Sequence, residues 1–283
     1  MINLEGKVAL VTGAASKHSI GRAVAMRLAM TGADVVVTDK YMVPTTIRDE
    51  DREWGGMIQI VADIEKLSRR GIAVEADISS MADCRRIITE TMKTFGRIDY
   101  FINAAGLRGP SPVDIVNLDE SAWRLVIDVN MTGPFLLAKV VVAEMLKNPE
   151  GRKIIFFASQ AGVEGTPGMS AYGAAKHGLL GMMKSLALEV APFGINVNAI
   201  SPMAFDTNFR DAAVAEMAKK KGIPIDKARE MDAEMGNQRG PMIPIGRHGT
   251  PDDAAGMVEF LISDDASYIT AQNILMNGGH KSL

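Results

Sequence analysis

A chain of 283 residues with 47% hydrophobic content can bury one large core, and both values fit a single α/β domain better than two small ones. Its net charge of −3 gives no basic footprint for nucleic acid, and its one cysteine, Cys84, excludes an intrachain disulfide framework. No N-terminal apolar region leads to a cleavage site and no run reaches about eighteen uninterrupted apolar residues, so a cytoplasmic protein that does not span a membrane is expected.

The first element is Lys7-Val-Ala-Leu-Val-Thr12, a β-branched run that reads as a buried strand. Gly13-Ala-Ala-Ser-Lys-His-Ser-Ile-Gly21 follows, then a helical pattern through Met30. A strand, a turn of small residues and a helix N-terminus make an anion site, because backbone N–H groups and the helix dipole converge there. A dinucleotide pyrophosphate suits it, with Gly13, Ser16, Ser19 and Ile20 as the candidate contacts. Asp34–Asp39 reads as the second strand and closes with an acid twenty-six residues after Gly13. An acid at that place accepts both adenosine ribose hydroxyls and repels a 2′-phosphate, which favours NAD over NADP. Lys40 complicates this, since a neighbouring cation can hold that phosphate instead.

The stretch from Tyr41 to Gly56 is polar and charged and reads as a surface loop before a helix over Met57 to Arg70. Ile72–Asp77 is the third strand, placing Asp77 and Ile78 where an adenine edge would lie. A helix over 80–95 follows, in which Cys84 reads as a half-buried structural residue. Ile98–Asn103 is the fourth strand, and the small residues of Asn103-Ala104-Ala105-Gly106 let the backbone pass close to a ligand. A long helix is predicted from Asp119 to Leu146. Asn130 in its middle is a poor helix former and marks either a functional kink or a solvent-facing position.

Lys153–Ala158 is the fifth strand and ends on Ser159; a helix from Ser170 to Ala191 then carries Tyr172 and Lys176. Four residues apart on a helix, the two side chains share a face. An ammonium beside a phenol lowers its pKa from near 10 toward the working range, which makes the pair a proton-transfer device. The Ser159 hydroxyl is placed to hydrogen-bond a substrate oxygen. Ile195–Ile200 is the sixth strand. Residues 204–246, rich in Met and Lys and containing a short helix over Asp211 to Lys221, read as a substrate lid. A helix after Thr250-Pro251 and a strand from Gln272 to Met276 complete a doubly wound parallel sheet with right-handed crossovers. Val163, Pro167, Met169, Met203 and Phe205 suggest an apolar substrate wall, while Arg108 is suited to an anionic group.

Thr12-Gly13, Asn103-Ala-Ala-Gly106, Asn130, Ser159, Tyr172-x-x-x-Lys176 and Pro202 with Thr207 match, in order and spacing, the markers of the short-chain dehydrogenase/reductase family. The chain resembles that family from Lys7 to Gly279. The resemblance implies a single Rossmann-type domain of about seven strands flanked by helices, and hydride transfer with a nicotinamide cofactor. It casts Ser159 as the residue that polarises the carbonyl or hydroxyl and Tyr172 as general acid/base. Lys176 would hold the nicotinamide ribose and lower the Tyr172 pKa, Asn130 would anchor a water in the proton relay, and Pro202 and Thr207 would meet the cofactor. A homodimer or homotetramer through the helices at 119–146 and 170–191 is also implied.

The chain departs from the pattern in its cofactor loop, where two extra residues intervene and Ser19 stands in place of the middle glycine. That loop is similar to the one in bacterial enoyl-acyl-carrier-protein reductases, which raises reduction of a carbon–carbon double bond as an alternative. Those reductases space tyrosine and lysine seven apart and lack the serine thirteen before the tyrosine. The expected activity is therefore NAD-dependent interconversion of a secondary alcohol and a ketone, on a small hydrophobic or cyclic substrate. A catalytically idle binding or regulatory member is the remaining alternative, and the complete set Asn130, Ser159, Tyr172 and Lys176 argues against it.

Overall fold

The computed structural model describes residues 2–44, 48, 51–149, 151–239 and 243–280. Strands β1 (Val8–Thr12), β2 (Asp34–Asp39), β3 (Gly71–Glu75), β4 (Tyr100–Asn103), β5 (Lys153–Phe157), β6 (Asn196–Pro202) and β7 (Asn273–Met276) form one sheet in the order β3-β2-β1-β4-β5-β6-β7. Every pairing is parallel. All residues of β1, β4 and β5 are buried, as their continuous apolar runs require in a sheet covered on both faces. Leu10 of β1 lies between Val36 and Phe101, so strand order reverses at β1 and β4, and a crevice opens at their carboxyl ends.

One face is covered by α1 (Ile20–Met30), α2 (Gly56–Lys66) and α9 (Pro251–Ile262), whose Leu28, Ile60 and Val258 join Val11 and Val37 in a single core. The other is covered by α3 (Met81–Phe95), α5 (Gly133–Met145) and α6 (Ser170–Val190), through Ile87, Leu137 and Leu179. Cys84, expected half-buried, lies wholly inside this second core, and its thiol donates to the Ile78 carbonyl (3.1 Å). Helix α9 starts as Thr250-Pro251 suggests, with a reciprocal cap between Thr250 and Asp253.

Two elements differ from the sequence expectation. The helix predicted over 119–146 is α4 (Glu120–Ile127) and α5 joined by a π turn at Asp128–Thr132. The region read as a lid with one short helix holds two, α7 (Asp211–Lys221) and α8 (Ile225–Arg239), hinged at Gly222 (φ +62°) and packed through Val214, Ala218 and Ala228. The Ala, Arg, Glu and Met residues that follow Ile225 are strong helix formers and carry the second helix. Residues 240–242 of that region lie outside the described residues.

Candidate active site

Ser159 leaves β5 in extended conformation, and its Oγ accepts from the Ala161 backbone (3.2 Å), starting the short turn Gln160–Gly162 that lies against α6. Gly162 permits this approach, since a Cβ there would lie 3.0 Å from the Lys176 carbonyl. Tyr172 and Lys176 stand one turn apart near the start of α6, 7% and 3% exposed. The Lys176 Nζ donates to the Phe157 carbonyl at the end of β5 (2.9 Å) and lies 5.6 Å from the Tyr172 ring centre. The Ser159 hydroxyl acts on the phenol, favouring its ionised form. Gly106 closes the other side. A Cβ on it would stand 3.1 Å from the Asn130 Oδ1 and 3.6 Å from the Lys176 Nζ.

Asn130 occupies the π turn and is fully buried, which decides for the kink over the solvent-facing alternative. Its carboxamide accepts from the Leu107 N–H (3.1 Å) and donates to the Leu107 carbonyl (2.7 Å) and the Val126 carbonyl (2.9 Å). One side chain thus satisfies a backbone group released by the widened turn and grips the loop after β4 at both backbone atoms.

The electrostatics correct one expectation. Burial pushes the Tyr172 phenol up to about 12, with Ser159 and the charge of Arg108 pulling it back only in part. Burial also pushes the Lys176 amine down to about 7. The sequence predicted an ammonium that lowers the phenol, but where both groups are desolvated each favours its neutral form.

At the sheet crevice, Gly13 (φ +69°) would carry a Cβ only 2.6 Å from the Ala105 nitrogen, so glycine alone lets the β1–α1 turn meet the Asn103–Gly106 loop. Ser19 is not a defect in a glycine motif. It caps α1, its Oγ accepting from the Arg22 N–H (3.1 Å), while the Ser16 carbonyl receives the Ser19 N–H (3.1 Å) and Ile20 opens the helix. Asn103 is fully buried. Its Oδ1 accepts from Thr12 (3.3 Å), whose Oγ1 in turn accepts from the Ala105 N–H (2.9 Å). Asn103 Nδ2 is buried with no protein partner. An orphan buried donor, a floor of small residues including Ala104, and a helix N-terminus together fit a dinucleotide.

The carboxylate of Asp39 accepts the Ala15 N–H (3.0 Å) and the Lys40 N–H (2.7 Å). Burial raises its pKa, and those two donors oppose the rise. Lys40, the cation that competed with Asp39 in the sequence, turns its Nζ to Asp77 (2.9 Å), which also receives the Ser79 N–H (2.9 Å) and hydroxyl (2.6 Å). The Ile78 side chain belongs to the second core, against Gly133. Pro202 ends β6, and Thr207 is buried with its Oγ1 accepting from the Phe209 N–H (3.3 Å). Of the expected apolar wall, Met169 lines a cleft beside Tyr172, whereas Phe205 packs over Gly249 and Val163 against the second core. Phe209, which sequence reasoning missed, packs tilted against the Tyr172 ring, with the ring centres 5.8 Å apart.

The stretch read as a surface loop is an inter-element clasp. Arg48 makes a two-pronged contact with Asp211 (3.1 and 3.2 Å) and donates to the Thr207 carbonyl (3.3 Å). Asp51, 3% exposed, takes Lys17 (3.1 Å) and His18 (3.2 Å) from the β1–α1 turn. Trp54 donates its Nε1–H to the Ala15 carbonyl (2.7 Å) under the Arg22 guanidinium, and the His18 N–H reaches Asn208 (2.9 Å). A tryptophan inside a charged run was the one signal that this stretch packs. No group of three or more His, Cys, Asp or Glu is placed to hold a metal among the described residues.

Residues 13–281 match the family model described as "Enoyl-(Acyl carrier protein) reductase". The chain is 36% identical to a 3-oxoacyl-[acyl-carrier-protein] reductase of Synechocystis sp., over 99% of this chain and 98% of that protein. It is 33% identical to (−)-trans-carveol dehydrogenase of Rhodococcus erythropolis, over 99% of each. Among solved structures, levodione reductase superposes with a TM-score of 0.82 at 29% identity, covering 98% of both chains. An NAD⁺-bound xylitol dehydrogenase does so with 0.81 at 29% identity, covering 98% of this chain and 99% of that one.

Proposed function

The chain belongs to the short-chain dehydrogenase/reductase family, and from that premise we propose that it is an NAD-dependent oxidoreductase interconverting a secondary alcohol and a ketone. The carrying observation is the junction of Ser159, Tyr172 and Lys176 at the carboxyl end of β5, beside Gly106. The nicotinamide, when bound, would accept or supply the hydride. Gly13, Ser16, Ser19, Ile20, Asp39, Asp77, Ile78, Asn103, Ala104, Gly106, Pro202 and Thr207 would hold the cofactor, together with Tyr172 and Lys176.

Ser159 donates a hydrogen bond to the substrate oxygen and fixes its distance from the phenol. Tyr172 gives its proton to that oxygen in ketone reduction and takes it back in alcohol oxidation. With a phenol held near 12, the proton-donating form is fully populated at neutral pH. Oxidation needs the phenolate, so its rate is expected to climb with pH through the alkaline range. Lys176 takes up the cofactor ribose and supplies charge to the phenol once it is protonated, and Asn130 anchors a water in the relay.

Support for NAD comes from Asp39 and from the cations around it. Lys40 is paired with Asp77 and Lys17 with Asp51. A 2′-phosphate ~4 Å from the Asp39 carboxylate is repelled by roughly 4 kcal/mol at an effective dielectric of 20; softened by solvent, this gives a preference of about 100-fold for NAD. Asp39→Ser is expected to erode it mainly by improving NADP, with little change in maximal rate. A wild type with higher kcat/KM for NADP overturns the assignment.

The activity is tested by following NADH absorbance with secondary alcohols, ketones and enones. Alcohol and ketone turnover supports the proposal. Turnover of enones alone moves the protein to double-bond reduction, the reading favoured by the description of the matching family model, and silence toward every compound moves it to a binding or regulatory role.

A further inference from the structure

After β7 the chain turns back through Asn277 to His280, and the Asn277 side chain reaches the residue next to Ser159. Its Nδ2 donates to the Gln160 Oε1 (3.2 Å) and to the His280 carbonyl (2.7 Å), and its Oδ1 accepts the Gly279 N–H (3.1 Å). Gln160 is 6% exposed, and its Nε2 donates onward to the Glu164 carboxylate (2.6 Å). The direction of this chain of hydrogen bonds is set at both ends. A carboxylate only accepts, so Gln160 turns its NH₂ to Glu164 and its oxygen to Asn277. At the other end, a backbone carbonyl and a backbone N–H hold the Asn277 amide the matching way round. Position 277 must therefore donate to Gln160, which asparagine does and aspartate cannot. The turn that carries Asn277 is itself clamped: the Ile245 N–H bonds the Gly278 carbonyl (3.1 Å) and the Met203 N–H the Met276 carbonyl (3.0 Å).

We propose that Asn277 is a positioning residue for Ser159 and acts through Gln160. This rests on the alcohol/ketone reading above and adds how its serine is held in place. Gln160 supplies the peptide group between Ser159 and Ala161, and the Ala161 N–H is the donor that the Ser159 Oγ accepts (3.2 Å). The Gln160 carbonyl also takes the Val163 and Glu164 N–H groups (both 3.0 Å), and the Ser159 carbonyl takes the Gly162 N–H (2.8 Å). A buried side chain tied at both ends of its amide fixes the turn in which that N–H points at the hydroxyl. With Ala161 donating to Oγ, the hydroxyl hydrogen is left to be given to the substrate oxygen. A tilt of the turn carries this donor off the reacting oxygen, and a misplacement of about 1 Å costs ~10²-fold in rate.

The test uses Asn277→Asp, which sets an acceptor against the Gln160 oxygen, in wild type, Ser159→Ala and Glu164→Gln backgrounds. Oxidation is followed with saturating NAD and whichever of cyclohexanol and butan-2-ol wild type turns over faster. In wild type the change is expected to lower kcat about tenfold or more, with NAD affinity altered by less than about threefold. In Ser159→Ala no hydroxyl is left to place, so the further loss is expected to stay under about threefold. In Glu164→Gln the new amide can donate, which lets Gln160 turn over and give its NH₂ to the aspartate. The loss measured against Glu164→Gln alone is then expected to stay under about threefold. An equal loss in Ser159→Ala, or one that persists in full in Glu164→Gln, overturns the proposal, as does lost NAD affinity or thermal stability with kcat intact. Asn277→Ala, which adds no charge, repeats the comparison if the aspartate variant does not fold and is expected to show the same dependence on Ser159. Crystal structures give an arm that needs no turnover. The contact between Ser159 Oγ and the Ala161 N–H is expected to be lost in Asn277→Asp and regained with Glu164→Gln, and a turn that superposes unchanged in Asn277→Asp overturns the proposal. A shifted turn in a protein silent toward every alcohol and ketone of the activity screen leaves the tether standing and removes the alcohol/ketone reading.

Discussion

Tyr172 and Lys176 are driven in opposite directions by the same burial, and that gives each a separate signature. Tyr172→Phe removes one hydroxyl from a packed ring. It is expected to keep the fold and NAD affinity while lowering turnover by ~10²–10⁴-fold; a smaller loss, measured by steady-state kinetics, would contradict the acid/base role. Lys176 carries a stability cost as well. Its folded pKa of about 7 lies below the ordinary 10.5, so between those values the unfolded chain binds a proton that the folded chain does not. Stability of the cofactor-free protein therefore rises with pH across about 7 to 10, and below about 7 the full cost of burying the ammonium is present. Lys176→Met should raise the thermal midpoint at pH 7 and abolish that rise, while losing turnover and weakening NAD. Thermal unfolding across a pH series checks the first pair, and a wild-type midpoint flat from pH 7 to 9.5 would sink it. The Ser159, Tyr172 and Lys176 set was legible because spacing on a strand end and a helix is a local property. The direction of the pKa shifts was not, since burial depends on what the rest of the chain packs against the pair.

At the scale of elements, Asn130 shows how far local propensity reaches. A residue poor in helices stood in the middle of a long helical pattern, and the structure spends it on a π turn that holds Leu107. The clasp formed by Arg48, Asp51 and Trp54 was invisible for the opposite reason. Nothing near Arg48 in the sequence announces a partner 163 residues away, and its charged neighbours resemble any solvated loop. The clasp joins two functional segments through different side chains, so its halves can be cut separately. Arg48→Ala removes the link to Asp211 and the Thr207 carbonyl but leaves Asp51 on the cofactor turn. It is expected to expose α7 and α8 to limited proteolysis with little change in NAD affinity. Asp51→Asn removes the carboxylate charge that Lys17 and His18 contact and is expected to weaken NAD by about tenfold, a cost of ~1.4 kcal/mol. Proteolysis and NAD titration of both variants decide it: if the two behave alike, the clasp acts as one structural unit and does not have two separable functions.

For the whole molecule, alternating strands and helices were enough to read the parallel sheet and its crevice, because each strand is a short continuous apolar run that only a doubly covered sheet can bury. What such patterning leaves undetermined is the outer surface. Within Glu120–Met145 an 18-residue window has a mean hydropathy of 1.7, long and apolar enough by composition to cross a membrane, and in the fold only 39% of that window is buried. Leu125 and Phe135 remain 48% exposed on it, and Leu188 is 70% exposed on α6. Large exposed apolar side chains on long surface helices are candidates for a subunit interface. A homodimer or homotetramer of the kind the family resemblance implies would cover them with the same helices of a second copy, in line with the preference of oligomers for isologous contacts. Light scattering should then give a mass that is two or four times the 30.4 kDa chain. Phe135→Glu combined with Leu188→Glu places charges where a partner must desolvate them, so the mass is expected to fall toward one chain. Neither position contributes to the cofactor groove or to the Ser159, Tyr172 and Lys176 junction. NAD affinity should therefore change by less than about threefold, and circular dichroism should match wild type, because both side chains are exposed and surface changes of this kind cost little in the isolated fold. A wild type that scatters as a single chain would remove the oligomer altogether, and a double variant that keeps the wild-type mass would move the interface to another face.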